Sequence, residues 1–253
     1  LYTGSGDDVI TLTGKVGGKS IDSPYTPTTV RTGSGSGTVT INGKTSDAII
    51  GLGTSTTGAD TAGSGELNRL TIHGDIATTK IYGTAGQDYV SLDAGAGNAA
   101  TAVTGVDINT GGGRDRVYVN GTIETSNLNG GAGHDTFAFT DDTMVDAAST
   151  ITSFEALHYV HLGDAPTAGT LFQWETDGRF TPFEAKIGAG VKELGYEILG
   201  GDLGTSGAEV TVYGNASASY ARFLHVQGSA WADIEMSNRN DTVAIDHTFN
   251  GVI

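Results

Sequence analysis

The sequence contains no cysteine and only four prolines in 253 residues. The lack of cysteine excludes a disulfide framework, and a chain of this length can bury a core without one. Basic residues are scarce, because 13 Lys and Arg stand against 29 Asp and Glu, for a formal net charge of −16. Such a surface repels phosphate and anionic lipid, so we expect no nucleic-acid partner. No apolar run approaches the ~18 residues that span a bilayer, so we expect no membrane insertion.

Glycine is abundant, with 40 residues. It occurs neither at every third position nor in separate tracts, which excludes a collagen and a flexible linker. Short β-favouring stretches lie between turns rich in Gly, Asn, Asp and Ser, for example at Val39–Ile41, Val117–Val119 and Val210–Tyr213. This alternation predicts an all-β chain of many short strands.

An internal repeat indicates how these strands are arranged. Residues 73–92 align without gaps on residues 120–139, an offset of 120 − 73 = 47. A third copy, with one gap, runs from Gln227 to Ile245. Self-similarity on this scale is typical of a solenoid, although a β-sandwich is an alternative for an all-β chain. The positions that match in the first two copies are Gly74/Gly121, Ile76/Ile123, Ile81/Leu128, Gly83/Gly130, Gly86/Gly133, Asp88/Asp135, Val90/Phe137 and Leu92/Phe139.

The fold class predicted from this pattern is an all-β, right-handed parallel β-helix or β-roll solenoid. Residues 1–163 form the solenoid, residues 164–204 form an inserted hairpin or protruding loops, and residues 205–253 continue the solenoid. All three belong to one continuous domain. Because the chain opens at Leu1 inside a repeat, we interpret it as a fragment of a longer protein. Alternating apolar residues should point inward and stack, as at Val90/Leu92, Phe137/Phe139 and Val243/Ile245.

The turn before several inward strands has the form Gly-x-x-Gly-x-Asp-x-apolar. Glycine permits a sharp turn that can aim carbonyl oxygens into a small space, and the aspartate adds a carboxylate. Hard cations that prefer oxygen, calcium above all, suit this donor set. The motif is well formed at Gly83–Val90 and Gly130–Phe137, and looser at Gly111–Val117 and Gly4–Ile10.

These turns resemble the nonapeptide Gly-Gly-x-Gly-x-Asp-x-apolar-x of the RTX (repeats-in-toxin) family of secreted bacterial proteins. Residues 130–138 match every fixed position, and residues 83–91 match all but one. The resemblance implies calcium between the turns of successive rungs, folding triggered by extracellular calcium, and one-step secretion (type I) directed by a C-terminal signal. The residues carried over are Asp88 and Asp135, with Asp8 and Asp115 as partial matches, the glycines Gly6, Gly83, Gly86, Gly111, Gly113, Gly130 and Gly133, and Asp241, which lacks the glycines.

The motifs depart from the family in being solitary. The aspartates at 88, 115 and 135 are separated by 27 and 20 residues, which suits one rung each but not a tandem array of nine-residue units. In this the chain is more similar to the degenerate β-helical regions of bacterial S-layer proteins and large RTX adhesins. The alternative is that glycine and aspartate merely form tight turns and bind no metal.

The sequence therefore predicts a calcium-stabilised structural module of a secreted bacterial cell-surface protein, an S-layer subunit or an adhesin. Self-association or a cell-surface polysaccharide is the expected partner. No catalytic constellation is recognised, so we expect no enzyme activity. His158 and His161 with Glu155 are not expected to bind zinc, since a strand spacing of three puts the rings on opposite faces. The alternatives are a β-helical polysaccharide-active enzyme or its accessory module, and a phage tail-fibre segment.

Overall fold

The computed structural model of the chain describes most of the sequence and divides it into two compact units. Unit 1 comprises residues 1–137 and 142–154, and unit 2 comprises residues 138–141 and 155–253. The described residues are 1–18, 27–59, 67–93, 102–140, 145–146, 148–162, 169–173, 192–205, 210–213, 221–236 and 239–253.

The chain folds into short β-strands joined by turns. No helix in the described part of the chain is long and apolar enough to cross a membrane. The strands are β1 Val9–Thr13, β2 Val16–Gly17, β3 Thr28–Arg31, β4 Thr38–Asn42, β5 Thr45–Ser46, β6 Ala48–Gly51, β7 Leu67–His73, β8 Ile76–Ala77, β9 Lys80–Thr84, β10 Gln87–Asp93, β11 Ala102–Thr104, β12 Asp107–Gly113, β13 Arg116–Asn120, β14 Thr122–Glu124, β15 Asn127–Asn129, β16 Ala132–Gly133, β17 Thr136–Thr140, β18 Thr150–Thr152, β19 Ala156–Leu162, β20 Gly169–Gln173, β21 Glu193–Leu199, β22 Val210–Tyr213, β23 Ala221–Val226, β24 Ala230–Glu235, β25 Thr242–Ile245 and β26 Phe249–Asn250.

Unit 1 is a stack of rungs. Its first sheet runs β1-β4-β7-β10-β13 and reaches β17, its second runs β2-β5-β8-β11-β14, and its third runs β3-β6-β9-β12-β15-β18. Each rung takes strands from the three sheets in chain order, as β7, β8 and β9 do, and neighbouring rungs pair in parallel. This confirms the predicted parallel β-solenoid, while the right-handed sense of the coil stays a prediction. The strands of the alternative, a β-sandwich, would pair antiparallel.

The rung steps follow the aspartates of the sequence motif. Tyr89 of β10 lies opposite Arg116 of β13, a step of 116 − 89 = 27 residues. In the following rung, the backbone N–H of Thr136 donates to the carbonyl of Asp115, 2.9 Å away. Asp115 and Asp135 directly precede β13 and β17, and Asp88 is the second residue of β10. This register therefore brings these three aspartates to one corner of unit 1.

The core of unit 1 consists of columns of branched apolar side chains. Alternate residues of β4, β7, β10 and β13 point inward and lie in register across the first sheet. These side chains are at most 1% exposed. Parallel strands place equivalent side chains above one another, so one apolar position repeated every rung builds a continuous core. The two columns are Val39, Leu70, Val90 and Val117, and Ile41, Ile72, Leu92 and Val119.

Unit 2 repeats this parallel arrangement with two described sheets, β19-β21-β23-β25 and β20-β22-β24-β26. The segment 164–204, predicted as an insertion, supplies β20 and β21 to these sheets. Residues 163–168 and 174–191, which include most of the predicted hairpin, lie outside the described residues. In the last rung Val243 and Ile245 lie opposite Leu224 and Val226 and are half-buried.

Candidate functional site: an aspartate column in unit 1

One corner of unit 1 carries a column of polar side chains, one from each of four successive rungs, at the start of the strands of the first sheet. The register of β7 on β10 places Asn68 beside Asp88. The register of β10 on β13 pairs Tyr89 with Arg116, so the residues just before them, Asp88 and Asp115, lie side by side. We refer to Asn68, Asp88, Asp115 and Asp135 as the aspartate column.

Three members of the column, Asn68, Asp115 and Asp135, accept a backbone N–H from the rung before them. The N–H of Asp88 donates to Oδ1 of Asp115 over 2.8 Å, and the N–H of Asp115 donates to Oδ1 of Asp135 over 3.0 Å. In the same way, the N–H of Gly37 donates to Oδ1 of Asn68 over 2.9 Å. A parallel solenoid leaves corner N–H groups outside the sheets, and these inward oxygens satisfy them.

Thr84 adds further hydrogen bonds to the column. Oδ2 of Asp88 accepts the backbone N–H of Thr84 at 2.6 Å and the Thr84 hydroxyl at 3.2 Å. The amide nitrogen of Asn68 donates to the same hydroxyl oxygen, 3.2 Å away. One hydroxyl therefore links two members of the column from adjacent rungs.

Glycine opens the motif because the aspartate folds back onto it. A Cβ at Gly83 would overlap the carbonyl oxygen of Thr110 and crowd the carboxylate of Asp88. A Cβ at Gly130 would overlap the carbonyl oxygen of Ser153 and crowd the side chain of Asp135. The first glycine and the aspartate of the motif are therefore contact partners within one turn.

Burial makes negative charge costly in this column. Asp88, Asp115 and Asp135 are 1%, 2% and 1% exposed. The pKa of Asp115 is raised from 3.8 to about 8, chiefly by burial and further by the charges of Asp88 and Asp135. The hydrogen bonds from the Asp88 backbone and the Thr110 side chain lower this pKa and offset only part of the burial effect.

A positive charge would complete the site. Oδ2 of Asp115 is buried and accepts no hydrogen bond. A buried carboxylate oxygen without a donor is costly unless a proton or a cation neutralises it. The carboxyl of Asp115 therefore needs either a bound proton or a neighbouring cation.

The chemical type of the column's donor atoms suits calcium, while the number of grouped carboxylates falls short of a full site. All candidate side-chain ligands are oxygens, the ligand type that calcium prefers. Within the described ranges no three His, Asp or Glu side chains are grouped so that they could hold one metal ion. Calcium takes 6–8 oxygen ligands, so backbone carbonyls of the turns and water would have to supply the remainder.

The remaining predicted residues lie at several places. Asp8 is half-buried at the same corner, where Oδ2 accepts the Thr3 hydroxyl over 2.8 Å. Asp241 directly precedes β25 in unit 2 and is not a member of the column in unit 1. The N–H of Gly86 donates to the Thr84 hydroxyl over 3.0 Å. Left-handed φ angles are found at Gly6, Gly111, Gly113 and Gly133.

Sequence reasoning missed Asn68, Thr84 and Thr110. Asn68 is preceded by the first glycine of the motif, Gly63, but the second glycine and the aspartate are absent. A further signal is its position two residues before Leu70, an inward residue of β7. Asp88 stands in the same relation to Val90, and Asp115 to Val117. Alignment of the strands on their inward residues would have revealed the asparagine.

A second polar column, made of hydroxyls, performs the same task at another corner. Oγ of Ser126 accepts the N–H of Val106 over 3.0 Å, and Oγ of Ser149 accepts the N–H of Ser126 over 3.0 Å. Both serines are 3% exposed. A hydrogen bond from one rung to the next through a side-chain oxygen is therefore common to two corners of unit 1, and the two serines, unlike the aspartates, carry no charge.

Comparison of the chain with models of known protein families, with curated protein sequences and with solved structures finds no match to any of them.

Proposed function

We propose that the chain is a calcium-stabilised structural module of a secreted bacterial cell-surface protein, an S-layer subunit or an adhesin. The observation that carries the proposal is the aspartate column, in which stacked and buried carboxylates need a positive charge. Asp88, Asp115 and Asp135 would each contribute carboxylate oxygens to bound calcium, with backbone carbonyls and water as the other ligands. The ion would neutralise charge that these rungs otherwise bury at a cost.

Calcium would act on folding, because the column exists only when the rungs are stacked. Ligands that bind the folded chain alone stabilise it, by roughly 1.4 kcal/mol per site at a tenfold excess over the dissociation constant. Extracellular calcium modules bind with dissociation constants of about 10⁻⁴–10⁻³ M. A chain of this kind would be weakly folded where calcium is scarce and firmly folded outside the cell.

The location at a bacterial surface is supported by the resemblance of residues 130–138 to the RTX repeat and by the acidic composition. A net charge of −16 attracts cations such as calcium to the chain. A repetitive parallel solenoid suits a mechanical role, since each rung is held by its neighbours and the stack can be long. Self-association through shared calcium, or binding to a cell-surface polysaccharide, is the partner proposed with this role.

The test is unfolding of the full chain by urea in EGTA, in calcium, and in magnesium at matched ionic strength, followed by circular dichroism. We expect millimolar calcium to raise the urea midpoint well beyond magnesium, since magnesium demands a stricter octahedral site. Asp115→Asn should abolish most of the increase in urea midpoint that calcium produces and magnesium does not. Isothermal titration would give the number of ions bound.

The calcium proposal would be overturned if calcium and magnesium raised the urea midpoint of the wild type equally and Asp115→Asn did not change the response to calcium. The column would then be neutralised by protons, and the module would be a metal-free scaffold.

A further inference from the structure

One face of the sheet β19-β21-β23-β25 in unit 2 buries a histidine between two glutamates. Val160 of β19 lies opposite Glu197 of β21, and Ala156 lies opposite Glu193. His158 stands between them on β19, opposite Gly195. Alternation along the strands brings His158, Glu193 and Glu197 to one face of the sheet, which we name the histidine clamp.

Both ring nitrogens of the clamp histidine lie against carboxylates. Nδ1 of His158 is 2.5 Å from Oε1 of Glu197, and Nε2 is 2.8 Å from Oε1 of Glu193. The side chains of His158 and Glu197 are each 6% exposed, and that of Glu193 is 26% exposed. The two contacts connect β19 to β21 across 39 and 35 residues of sequence.

Packing fixes the ring in this position. The His158 ring stacks on Phe223 of β23 with centroids 4.6 Å apart and an interplanar angle of 11°. Gly195 lies between the two rings in the register, and a Cβ there would overlap the imidazole. The absence of a side chain at this one position therefore lets the two rings meet across the intervening strand.

The proton count of this arrangement decides the charge of His158. A neutral imidazole has a single N–H, so it can donate to one carboxylate only and turns a lone pair toward the other. The imidazolium donates to both. A ring face against Phe223 also favours the cation. Buried between two carboxylates, His158 is fully satisfied only when it is doubly protonated.

The neighbouring titratable groups in the described part of unit 2 do not replace this proton. On β23, His225 lies opposite Glu197, and its Nε2 is 3.2 Å from Oδ2 of Asp246, which follows β25. That pair is more exposed, with side chains 25% and 49% accessible. On β19 itself, His161 has the opposite parity to His158 and faces the other side of the sheet.

We propose that the histidine clamp is a pH-sensitive fastener that ties β19 to β21 when His158 is protonated and releases them when it is not. The folded unit holds a proton that an unfolded histidine loses near pH ~6.5. The stabilisation is therefore fully present below about pH 6.5 and is lost as the pH rises above it until the folded His158 deprotonates. The clamp would make unit 2 firm in mildly acidic surroundings and looser in alkaline ones, independently of calcium in unit 1.

The experiment is amide hydrogen exchange of the full chain in EGTA at pH 6 and pH 8.5, corrected for the intrinsic exchange rates. Local readout is needed because Asp115 of unit 1, whose pKa is raised to about 8, titrates in the same range. We expect the protection of β19 and β21 amides to fall at least about tenfold between the two pH values. In His158→Gln this fall should disappear, whereas His225→Gln, the matched control, should retain it.

The wild-type protein supplies a second readout that does not depend on a variant folding. Side-chain NMR of the labelled chain should show the ring of His158 doubly protonated at pH 7. A neutral His158 at pH 6, equal protection of β19 and β21 at both pH values, or a pH effect abolished by His225→Gln would each overturn the proposal.

Discussion

At the scale of single residues, the motif aspartates Asp115 and Asp135 serve as hydrogen-bond acceptors for backbone N–H groups. Oδ1 of Asp115 and Oδ1 of Asp135 each accept a backbone N–H from the preceding rung. Asn68 makes the equivalent contact with its amide oxygen. The acceptor is therefore required at this position of the rung, and the charge is not required for that contact.

Replacement of Asp115 by Asn tests this distinction through pH. Because burial raises the pKa of Asp115 to about 8, the folded chain without calcium holds a proton that the unfolded chain releases near pH ~4. This contribution to stability is present below about pH 4 and is lost as the pH rises toward 8. Asp115→Asn removes this pH dependence. Relative to the wild type, the free energy of unfolding of the variant should therefore rise by a few kcal/mol between about pH 4 and pH 8, given about 1.4 kcal/mol per pKa unit.

Urea midpoints in EGTA at several pH values between 4.5 and 9 measure the effect, and Asp115→Ala is the control. Alanine leaves the buried N–H of Asp88 without an acceptor, which should cost about 1–3 kcal/mol at every pH. Parallel pH curves for the wild type and Asp115→Asn would contradict the assigned ionisation.

At the scale of elements, the corners determine how closely the rungs stack. Two columns of inward oxygens fasten corners of unit 1, one of carboxylates and one of serine hydroxyls. At the serine corner the turn also adopts a left-handed backbone in successive rungs, with φ of 53° at Asp47, 47° at Thr78, 61° at Gly105 and 49° at Thr125. The corner conformation is thus imposed by stacking even where glycine is absent.

Gly130→Ala tests the contact between the motif glycine and its aspartate. The added Cβ would overlap the carbonyl of Ser153 and crowd Asp135, so we expect a loss of about 1–3 kcal/mol in the free energy of unfolding. Gly58→Ala is the matched control, because a Cβ there meets no atom within 4 Å. That variant should be neutral or stabilised by up to about 1 kcal/mol.

Urea unfolding of both glycine variants, in EGTA and in calcium, gives the comparison. If the two substitutions cost the same, the turn has room for a side chain and glycine is present for another reason.

At the scale of the whole molecule, charge opposes folding. The chain carries a formal net charge of −16, and self-repulsion of like charges destabilises a compact state. Monovalent salt screens this repulsion, with a Debye length that falls from about 30 Å at 0.01 M to about 3 Å at 1 M. Calcium and sodium should therefore both stabilise the chain, sodium by screening and calcium additionally by binding.

Raising NaCl from about 20 to 500 mM in EGTA at pH 7.5 should raise the urea midpoint, because screening relieves repulsion within the folded chain. The control is the same series near pH 4.5, the isoelectric point of the sequence, where the net charge is small and the salt effect should be slight. A salt effect as large at pH 4.5 as at pH 7.5 would show that sodium chloride acts by another route.

The sequence by itself determined the fold class, the parallel rungs and the meeting of Asp88, Asp115 and Asp135, because parallel in-register strands turn one repeated pattern into vertical columns. It also indicated the buried pairs such as Val90 and Leu92, since alternation in a strand is local. These features depend on neighbours in sequence and on a pattern that recurs in successive rungs.

Only the tertiary structure decided what each polar side chain contacts. Asn68 joined the column through strand register, and His158 met Glu193 and Glu197 because β19 and β21 pair across more than thirty intervening residues. Spacing within one strand correctly separated His158 from His161 onto opposite faces but said nothing of the strand alongside. Burial of a carboxylate or an imidazole, and hence its charge, is a property of all the surrounding rungs together, which no single stretch of sequence contains.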